Sequence, residues 1–280
     1  MPEAQGTAAR PNAWFFPLGP LGELTAGAEL RVRALAGREA ELERSASSAP
    51  PAPSFAAALA GGTSVAVIAE LKRRSPSKGS INESLDVPAR AAEYAAAGAA
   101  ALSVLTEPER FGGSLDDLRA ARNSVHIPLL RKDFIVDRLQ LLEARAAGAS
   151  AILLIARALP PERRVALAAD ARKLGLDVLL EVRSEAELEH ALQIETAVIG
   201  VNNRNLETLV IDDSVSARLL QLVPASRTAV YESGVKVRAD VERAAFMGAD
   251  AVLVGSALSA AGNGGSAAAA LTGVARRPRG

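Results

Sequence analysis

The sequence has no cysteine and only two histidines, and these absences limit the chemistry that it can support. Without a thiol it has no disulfide, no thiolate ligand for zinc and no cysteine nucleophile. His126 precedes an apolar run and His190 lies in a predicted helix, and neither has a second histidine at the spacing of metal ligands. We therefore predict structural roles for both histidines and no metal site.

An excess of charge is also missing, because 32 lysines and arginines balance 32 aspartates and glutamates. The basic residues are scattered rather than interleaved with aromatic residues, which argues against a nucleic-acid partner. No basic leader followed by an apolar segment begins the sequence, and no stretch reaches the roughly 18 apolar residues of a membrane span. We expect a cytoplasmic monomer that acts on a small neutral or anionic molecule, without a membrane partner.

From residue 65 onward, eight short apolar runs alternate with helical patterns. The runs cover residues 65–69, 101–105, 128–130, 151–155, 178–180, 198–201, 228–230 and 251–254. Each gap is long enough for a crossover helix, and right-handed crossovers in this number favour a closed barrel over an open sheet. The sequence thus predicts an α/β protein with a (β/α)8 TIM barrel and an N-terminal helical extension.

Capping residues bound the helices between these runs. Ser114 and Ser184 each precede an acidic residue by three positions, as in a capping box. Glycines 98, 148, 175 and 248 stand where helices should end. A pattern of a small residue, glycine and alanine before an apolar run also recurs from Ala97, Ala147 and Met247, as expected if several βα units share one helix end and strand start.

The remaining segments divide the chain into three parts. Residues 1–17 are interpreted as an irregular arm that carries Trp14, Phe15 and Phe16. Residues 18–262 should form a single barrel domain, of which 18–60 are the helical extension. Residues 263–280 are rich in glycine, alanine and arginine and are predicted to be a flexible tail.

The stretch VAVIAELKRRSPSKGS, residues 65–80, passes from a buried strand into charged and turn-forming residues. If Glu70 closes the strand, the alternation of side chains places Glu70 and Lys72 on the same side of the backbone. An acid and a base would then point together toward the barrel mouth, where TIM barrels carry their chemistry. The alternative is a surface ion pair at a strand end.

Polar residues follow the other strands in the same way, so the predicted mouth is lined by functional groups. The candidates are Ser75, Thr106, Glu107, Phe111, Lys132, Asp133, Phe134, Glu181, Asn202, Arg204, Glu232, Ser233, Gly234, Gly255 and Ser256. Eight independent surface turns would not require this pattern.

Lysine is rare, with five residues against 27 arginines, and two of the five face the predicted mouth. A lysine can release a proton when its environment lowers its pKa, whereas arginine is effectively always charged. Lys132 is therefore the best candidate for a general acid. The alternative is that Lys132 only stabilises the fold by pairing with Asp133 or Glu70.

Two dipeptides predict a phosphate site. Ser233-Gly234 and Gly255-Ser256 follow strands seven and eight, the usual place for a phosphate in this fold. No basic residue follows strand eight until Arg276, so we expect backbone N–H groups to supply most of the positive potential. A side chain added at Gly255 should push the phosphate outward.

Seven segments together resemble one family. They are ELKRRSPSKG, LTEPERFGGS, LLRKDFIVD, LLEVRSEAELEHAL, GVNNRNLETL, ESGV and LVGSAL. In this order they resemble indole-3-glycerol phosphate synthase of tryptophan biosynthesis, over about residues 65–258. The resemblance implies a barrel whose N-terminal extension helps to cover the active site. Tyr231 departs from the family pattern, which more commonly has a small residue there.

The resemblance implies a carboxy-lyase that needs no cofactor. Its substrate would be 1-(2-carboxyphenylamino)-1-deoxyribulose 5-phosphate, which loses carbon dioxide and water to give indole-3-glycerol phosphate. The implied catalytic residues are Lys132 as the first acid, Lys72 at the substrate carboxylate, Glu181 for dehydration, Glu70 as an organiser or base, and Asn202, Arg204 and Glu232 in the polar network. The implied substrate-binding residues are Ser75, Phe111, Phe134, Leu206, Ser233, Gly234, Leu253, Gly255 and Ser256, with Phe111 and Phe134 beside the aromatic ring or, alternatively, plain core residues.

Three other functions remain open at this stage. Another phosphosugar enzyme, such as an isomerase, could share the barrel and the phosphate site. An aldolase could use Lys132 to form a Schiff base. A catalytically silent binder of a phosphorylated ligand would be expected to have lost its acids, whereas Glu70, Lys72, Lys132 and Glu181 are all present.

Overall fold

The computed structural model describes residues 14–279, and its centre is a closed barrel of eight parallel strands. We number them β1 Ala66–Leu71, β2 Ala101–Leu105, β3 Leu129–Lys132, β4 Ala151–Ile155, β5 Asp177–Val182, β6 Val198–Asn202, β7 Ala229–Glu232 and β8 Ala251–Val254. Each strand pairs with its neighbours in sequence, and β1 pairs with β8 to close the barrel. The predicted (β/α)8 architecture is confirmed.

Several strands run further at their carboxyl ends than their apolar runs predict. In the ladders Leu105 is opposite Lys132, Ile155 is opposite Glu181, and Asn202 is opposite Glu232. Backbone pairing therefore continues through polar residues at the mouth of the barrel. The strands themselves, rather than flexible loops, fix where these side chains begin.

Twelve α-helices surround or cap the barrel in the described part of the chain. They are α1 Gly19–Ala34, α2 Glu39–Ser48, α3 Phe55–Ala60, α4 Val87–Ala96, α5 Leu115–Ser124, α6 Arg138–Ala146, α7 Pro161–Lys173, α8 Glu185–Leu192, α9 Ser214–Leu219, α10 Arg238–Phe246, α11 Ser256–Ser259 and α12 Gly264–Ala269. The hydroxyls of Ser114 and Ser184 accept from the predicted N3 amides, and the four predicted terminal glycines have φ between 70° and 89°. None of these helices is both long and apolar enough to span a bilayer.

The N-terminal extension covers both ends of the barrel. Leu21, Leu24 and Ala28 of α1 are buried, and Leu24 faces the cavity at the carboxyl ends of the strands. At the opposite end, Phe55 and Leu59 of α3 are fully buried, and Asp177 at the start of β5 accepts bonds from Ser54 and Ala56. Residues 1–13 of the predicted arm lie outside the described residues.

The prediction of a flexible tail from residue 263 is wrong for the part that the structure describes. Helix α12 packs against α4 and completes the outer layer of the barrel. Leu271 and Val274 are buried, and the Val65 amide donates to the Val274 carbonyl at 2.7 Å. Arg276 and Arg279 both pair with Asp250. The alanines and glycines that suggested a flexible tail instead allow this helix to pack closely.

We expect Leu271→Ala to lower the free energy of unfolding by about 2–5 kcal/mol, because it removes a buried side chain and leaves a cavity. Leu271 is 2% exposed, whereas Leu222, at 51%, provides a matched control. Leu222→Ala should change stability by less than about 0.5 kcal/mol. Urea unfolding measures both variants. Equal stability of the two would show that the tail does not belong to the core.

Candidate active site

A large cavity opens at the carboxyl ends of the strands, and of the residues that the sequence predicts for the mouth only Thr106 and Glu107 do not lie on its wall. Its volume is about 560 Å³, within the usual range for a small-molecule site. The predicted residues found there are Glu70, Lys72, Ser75, Phe111, Lys132, Phe134, Glu181, Asn202, Arg204, Leu206, Glu232, Ser233, Gly234, Leu253, Gly255 and Ser256. Within residues 14–279, no three potential ligands come together as a metal-binding group.

Lys132 stands between two buried carboxylates. Its Nζ lies 3.7 Å from Glu181 Oε2 and 3.6 Å from Glu232 Oε2. Burial disfavours the ammonium, but attraction by Glu232, Glu181 and Glu70 outweighs burial and raises the pKa of Lys132 above its ordinary value. Lys132 is therefore protonated in the free site. It does not pair with Asp133, which instead accepts from Arg131 and Arg31.

For Glu232, which is 2% exposed, burial outweighs the attraction by Lys132. Burial, together with repulsion by Glu181 and Glu70, raises the pKa of the Glu232 carboxyl to about 8 despite the nearby Lys132. The carboxyl occupies space that a side chain at Gly200 on the neighbouring strand would fill. Glu232 is thus the carboxyl beside Lys132 whose burial most favours uptake of a proton.

Glu70 and Lys72 form the second acid–base pair, with 2.6 Å between Lys72 Nζ and Glu70 Oε1. Burial of Glu70 favours its neutral form, but attraction by Lys72 and Lys132 and hydrogen bonds from Lys72 and Ser103 outweigh burial and lower its pKa. Glu70 is therefore ionised and organises the two lysines. The predicted common orientation of Glu70 and Lys72 is confirmed, and the surface ion-pair alternative is wrong because both side chains are largely buried.

The phosphate-site prediction needs one correction. A Cβ built on Gly255 collides with the Glu70 carboxylate and lies 2.7 Å from Lys72 Nζ. Gly255 therefore makes room for this ion pair, and an added side chain meets the pair first. Lys72 also brings an ammonium next to the Gly255-Ser256 turn, so positive potential there comes from β1 as well as from backbone N–H groups.

An apolar wall lies across the cavity. The rings of Phe111 and Phe134 have centroids 6.3 Å apart and planes inclined at 39°. Phe134 is 8% exposed and Phe111 is half-buried, so both border the open volume. A flat aromatic ligand could pack beside them.

Buried carboxylates hold the two rings in place. Glu107 accepts from the backbone N–H groups of residues 109, 110 and 111 and so fixes the loop that carries Phe111. Asp133 accepts from the Phe134 N–H and from the Thr106 hydroxyl. Arg31 of α1 reaches both carboxylates, at 2.8 Å from Asp133 and 3.7 Å from Glu107. The extension is thereby tied to the loops that shape the apolar wall.

Sequence reasoning missed some of the lining residues. Leu24 comes from α1, and Lys78 and Lys236 come from loops far from each other in sequence. Only their place on the loops after strands one and seven could have suggested the two lysines.

Tyr231, which departs from the family pattern, has a fully buried side chain, and its hydroxyl lies 3.4 Å from a Cβ built on Gly234.

Comparison with known proteins assigns the chain to a family. The family model described as indole-3-glycerol phosphate synthase matches residues 21–271. The chain belongs to the indole-3-glycerol phosphate synthase family. The synthase of Nocardioides sp. is 52% identical over 224 residues, which cover 80% of this chain and 84% of the relative. Indole-3-glycerol phosphate synthase 2 of Streptomyces coelicolor is 47% identical over 258 residues, 91% of this chain and 99% of the relative.

Solved structures at low identity share the fold of this synthase-family chain. The 3-hexulose-6-phosphate synthase of Salmonella typhimurium has a TM-score of 0.60 at 14% identity, covering 74% of this chain and 96% of the other. Thiamine phosphate pyrophosphorylase of Pyrococcus furiosus has a TM-score of 0.57 at 16% identity, covering 74% and 93%. These likenesses support the barrel alone, whereas the family rests on the closer relatives.

Gly255→Ala should lower the turnover of indole-3-glycerol phosphate formation by up to about a hundredfold, because its Cβ displaces the Glu70–Lys72 pair. Gly262→Ala is the matched control, since a Cβ there has nothing within 4 Å. Steady-state kinetics measures both variants. A variant at Gly255 that turns over normally but loses affinity for phosphate would show that the Cβ meets phosphate instead.

The raised pKa of Glu232 predicts how stability depends on pH. Its pKa is about 8 in the folded protein against an ordinary value of 4.5, so between these pH values the folded state binds more protons than the unfolded state. This contribution to stability is complete below about pH 4.5 and is lost as pH rises to about 8. Glu232→Gln should therefore lose less stability between about pH 5 and pH 8 than the unsubstituted protein.

Urea unfolding at several pH values tests this expectation. Glu242→Gln, on the exposed face of α10, is the control and should keep the unsubstituted pH dependence. Identical slopes for Glu232→Gln and the unsubstituted protein would contradict the raised pKa.

Proposed function

We propose that this cavity closes the indole ring of 1-(2-carboxyphenylamino)-1-deoxyribulose 5-phosphate, and we assign a role to each group around it. The observation that carries the proposal is the order of groups around the barrel mouth: the aromatic rings follow β2 and β3, the glycine turns follow β7 and β8, and Lys132 lies between two carboxyl groups. This substrate has an aromatic ring and a phosphate at opposite ends and reacts in between.

In the first step the ring carbon that bears the carboxylate attacks the ribulose carbonyl carbon. A carbon–carbon bond forms, and the carbonyl oxygen gains negative charge. The Lys132 ammonium is the proposed acid that gives this oxygen a proton. The surrounding carboxylates keep it loaded with a proton before the reaction, and a developing alkoxide is basic enough to accept that proton.

In the second step the carboxylate leaves as carbon dioxide, and its bonding electrons restore the aromatic ring. No proton donor is required. The proposed part of Lys72 is to hold the substrate carboxylate, while Glu70 positions both lysines from its place 2.6 Å from Lys72. The aromatic rings of Phe111 and Phe134 would flank the substrate ring.

Dehydration completes the indole. The hydroxyl leaves as water after taking a proton, and a second proton is lost from the neighbouring CH2 group. We assign this step to Glu181, with Glu232 as the adjacent carboxyl whose pKa is raised by burial. Asn202 and Arg204 complete the polar wall, where Asn202 Oδ1 accepts from the Arg204 amide at 2.9 Å. All steps use side-chain acids and bases, so we expect no cofactor.

The phosphate end supports a phosphorylated substrate. Ser233, Gly234, Gly255 and Ser256 converge there from β7 and β8, and the buried Ser75 hydroxyl has no hydrogen-bond partner within the described residues. Leu206 and Leu253 would contact the chain between phosphate and ring. A monomeric state and a cytoplasmic location remain predictions.

A Schiff-base aldolase is a weaker proposal. Its lysine must become a neutral nucleophile, whereas the environment of Lys132 raises its pKa. Borohydride should therefore fail to trap substrate on Lys132. A covalent adduct at this residue, detected by mass spectrometry, would favour the aldolase mechanism.

Lys132→Ala should lose at least about a hundredfold in turnover with substrate still bound, since it removes the acid that protonates the alkoxide. Lys132→Arg should not restore turnover, because a guanidinium does not give up its proton. The fluorescence of indole-3-glycerol phosphate measures the rate. Lys173→Ala and Lys173→Arg, on the exposed surface of α7, are controls and should leave the rate unchanged. Recovery in Lys132→Arg would show that this position supplies charge alone.

A further inference from the structure

Asn203, the residue after β6, has no role in the chemistry proposed above, yet it is fully buried beside the phosphate turn. Its Nδ2 donates to the Ser233 carbonyl at 3.0 Å, and its Oδ1 accepts from the Ser216 amide at 3.0 Å. The side chain therefore joins the end of β7 to the first turn of α9. Only one orientation of the amide satisfies both bonds, because Ser233 offers an acceptor and Ser216 a donor.

The backbone of Asn203 is held equally firmly. Its N–H donates to the Glu232 carbonyl at 3.1 Å, and its carbonyl accepts from the Asp212 amide at 2.9 Å. Both backbone groups and both ends of the side chain are thus engaged. A residue with four such bonds can impose a conformation on its neighbours.

Ser233 has the conformation that needs such support. Its φ is 65°, in the left-handed region that residues other than glycine occupy rarely and at a cost. The Asn203 amide holds its carbonyl, and the Ser233 hydroxyl donates to Asn202 Oδ1 at 2.9 Å. The two asparagines that follow one another on β6 and its loop therefore fix the turn after β7.

The consequence for a ligand follows from the planarity of the peptide. In a trans peptide the C=O and the following N–H point in opposite directions. Because the Ser233 carbonyl points to Asn203, the Gly234 N–H points away from Asn203. Gly234 lines the cavity, and within residues 14–279 its N–H donates no hydrogen bond. A donor that borders the cavity and has no partner in the described part of the chain is available to a ligand.

We propose that Asn203 is a positioning residue that aims the Gly234 N–H at the substrate phosphate. The inference rests on the proposed phosphate site and adds to it the residue that orients one of its donors. Asn203 itself touches neither phosphate nor the reacting carbons.

Asn203→Asp is the sharpest test. It keeps the shape and the acceptor for the Ser216 amide, but it removes the donor to Ser233. We expect the inhibition constant of inorganic phosphate and the KM to rise about tenfold, the order expected for one buried hydrogen bond. The stabilisation of the folded protein by phosphate, measured as the shift in Tm, should shrink in parallel.

Two further variants serve as controls. Asn203→Ala removes the donor without adding a charge. If it weakens phosphate binding as much as Asn203→Asp does, repulsion between the aspartate and phosphate is not the cause. It also serves as the test if the Asp variant does not fold. Asn205→Asp makes the same chemical change two residues later, where Oδ1 only accepts from the amides of Glu207 and Thr208. It should bind phosphate like the unsubstituted protein.

The outcomes separate this inference from the proposed function. If phosphate does not inhibit the unsubstituted protein competitively and does not raise its Tm, the proposed phosphate site itself is wrong. If phosphate does both, but the folded Asn203 variants respond like the unsubstituted protein, the role of Asn203 alone is overturned. A fall in Tm without any change in phosphate inhibition would likewise show that Asn203 only stabilises the fold.

Discussion

The active site depends on the burial of Lys132 among Glu181, Glu232 and Glu70. Moving several charges out of water is expensive, and their mutual attraction compensates only when the geometry is favourable. Hydrophobic residues in these positions would serve stability better. The barrel instead fixes each group at the last residues of a strand, where pairing with a neighbouring strand opposes rearrangement. The cluster is an arrangement that stability alone does not explain.

The same cluster explains why adjacent glycines are needed. A side chain at Gly200 would enter the space of the Glu232 carboxylate, and one at Gly255 would enter the space of Glu70. Gly200 lies in the middle of β6, two residues before Asn202, and Gly255 directly follows β8. Glycine is needed at both positions because a side chain would not fit, and not for its backbone conformation, since neither position has a positive φ.

Sequence reasoning succeeded where a local pattern had a direct spatial meaning. Period-2 alternation put Glu70 and Lys72 together, and the rule for parallel barrels brought Lys132, Glu181 and Glu232 to one mouth. It failed where the outcome depended on contacts between distant segments. The strands continue through polar residues because their neighbours pair with them, and α12 is ordered because α4 lies beside it. Neither fact is encoded in the segment concerned.

Helix α1, which covers the site, is also held by contacts with segments that are distant in sequence. Leu24 of α1 closes the apolar side of the cavity, and Arg31 of the same helix bonds to Asp133 next to Lys132. At the start of α1, the Leu18 amide donates to Glu207, which also pairs with Arg157 after β4. One helix is thus anchored to loops on opposite sides of the mouth.

This anchoring gives the extension a chemical consequence. Exclusion of water strengthens the interactions between Lys132 and its carboxylates, because the local dielectric falls when the site is covered. The extension therefore acts on the proposed proton-transfer groups without contacting them, through the loops that Leu18 and Arg31 bind.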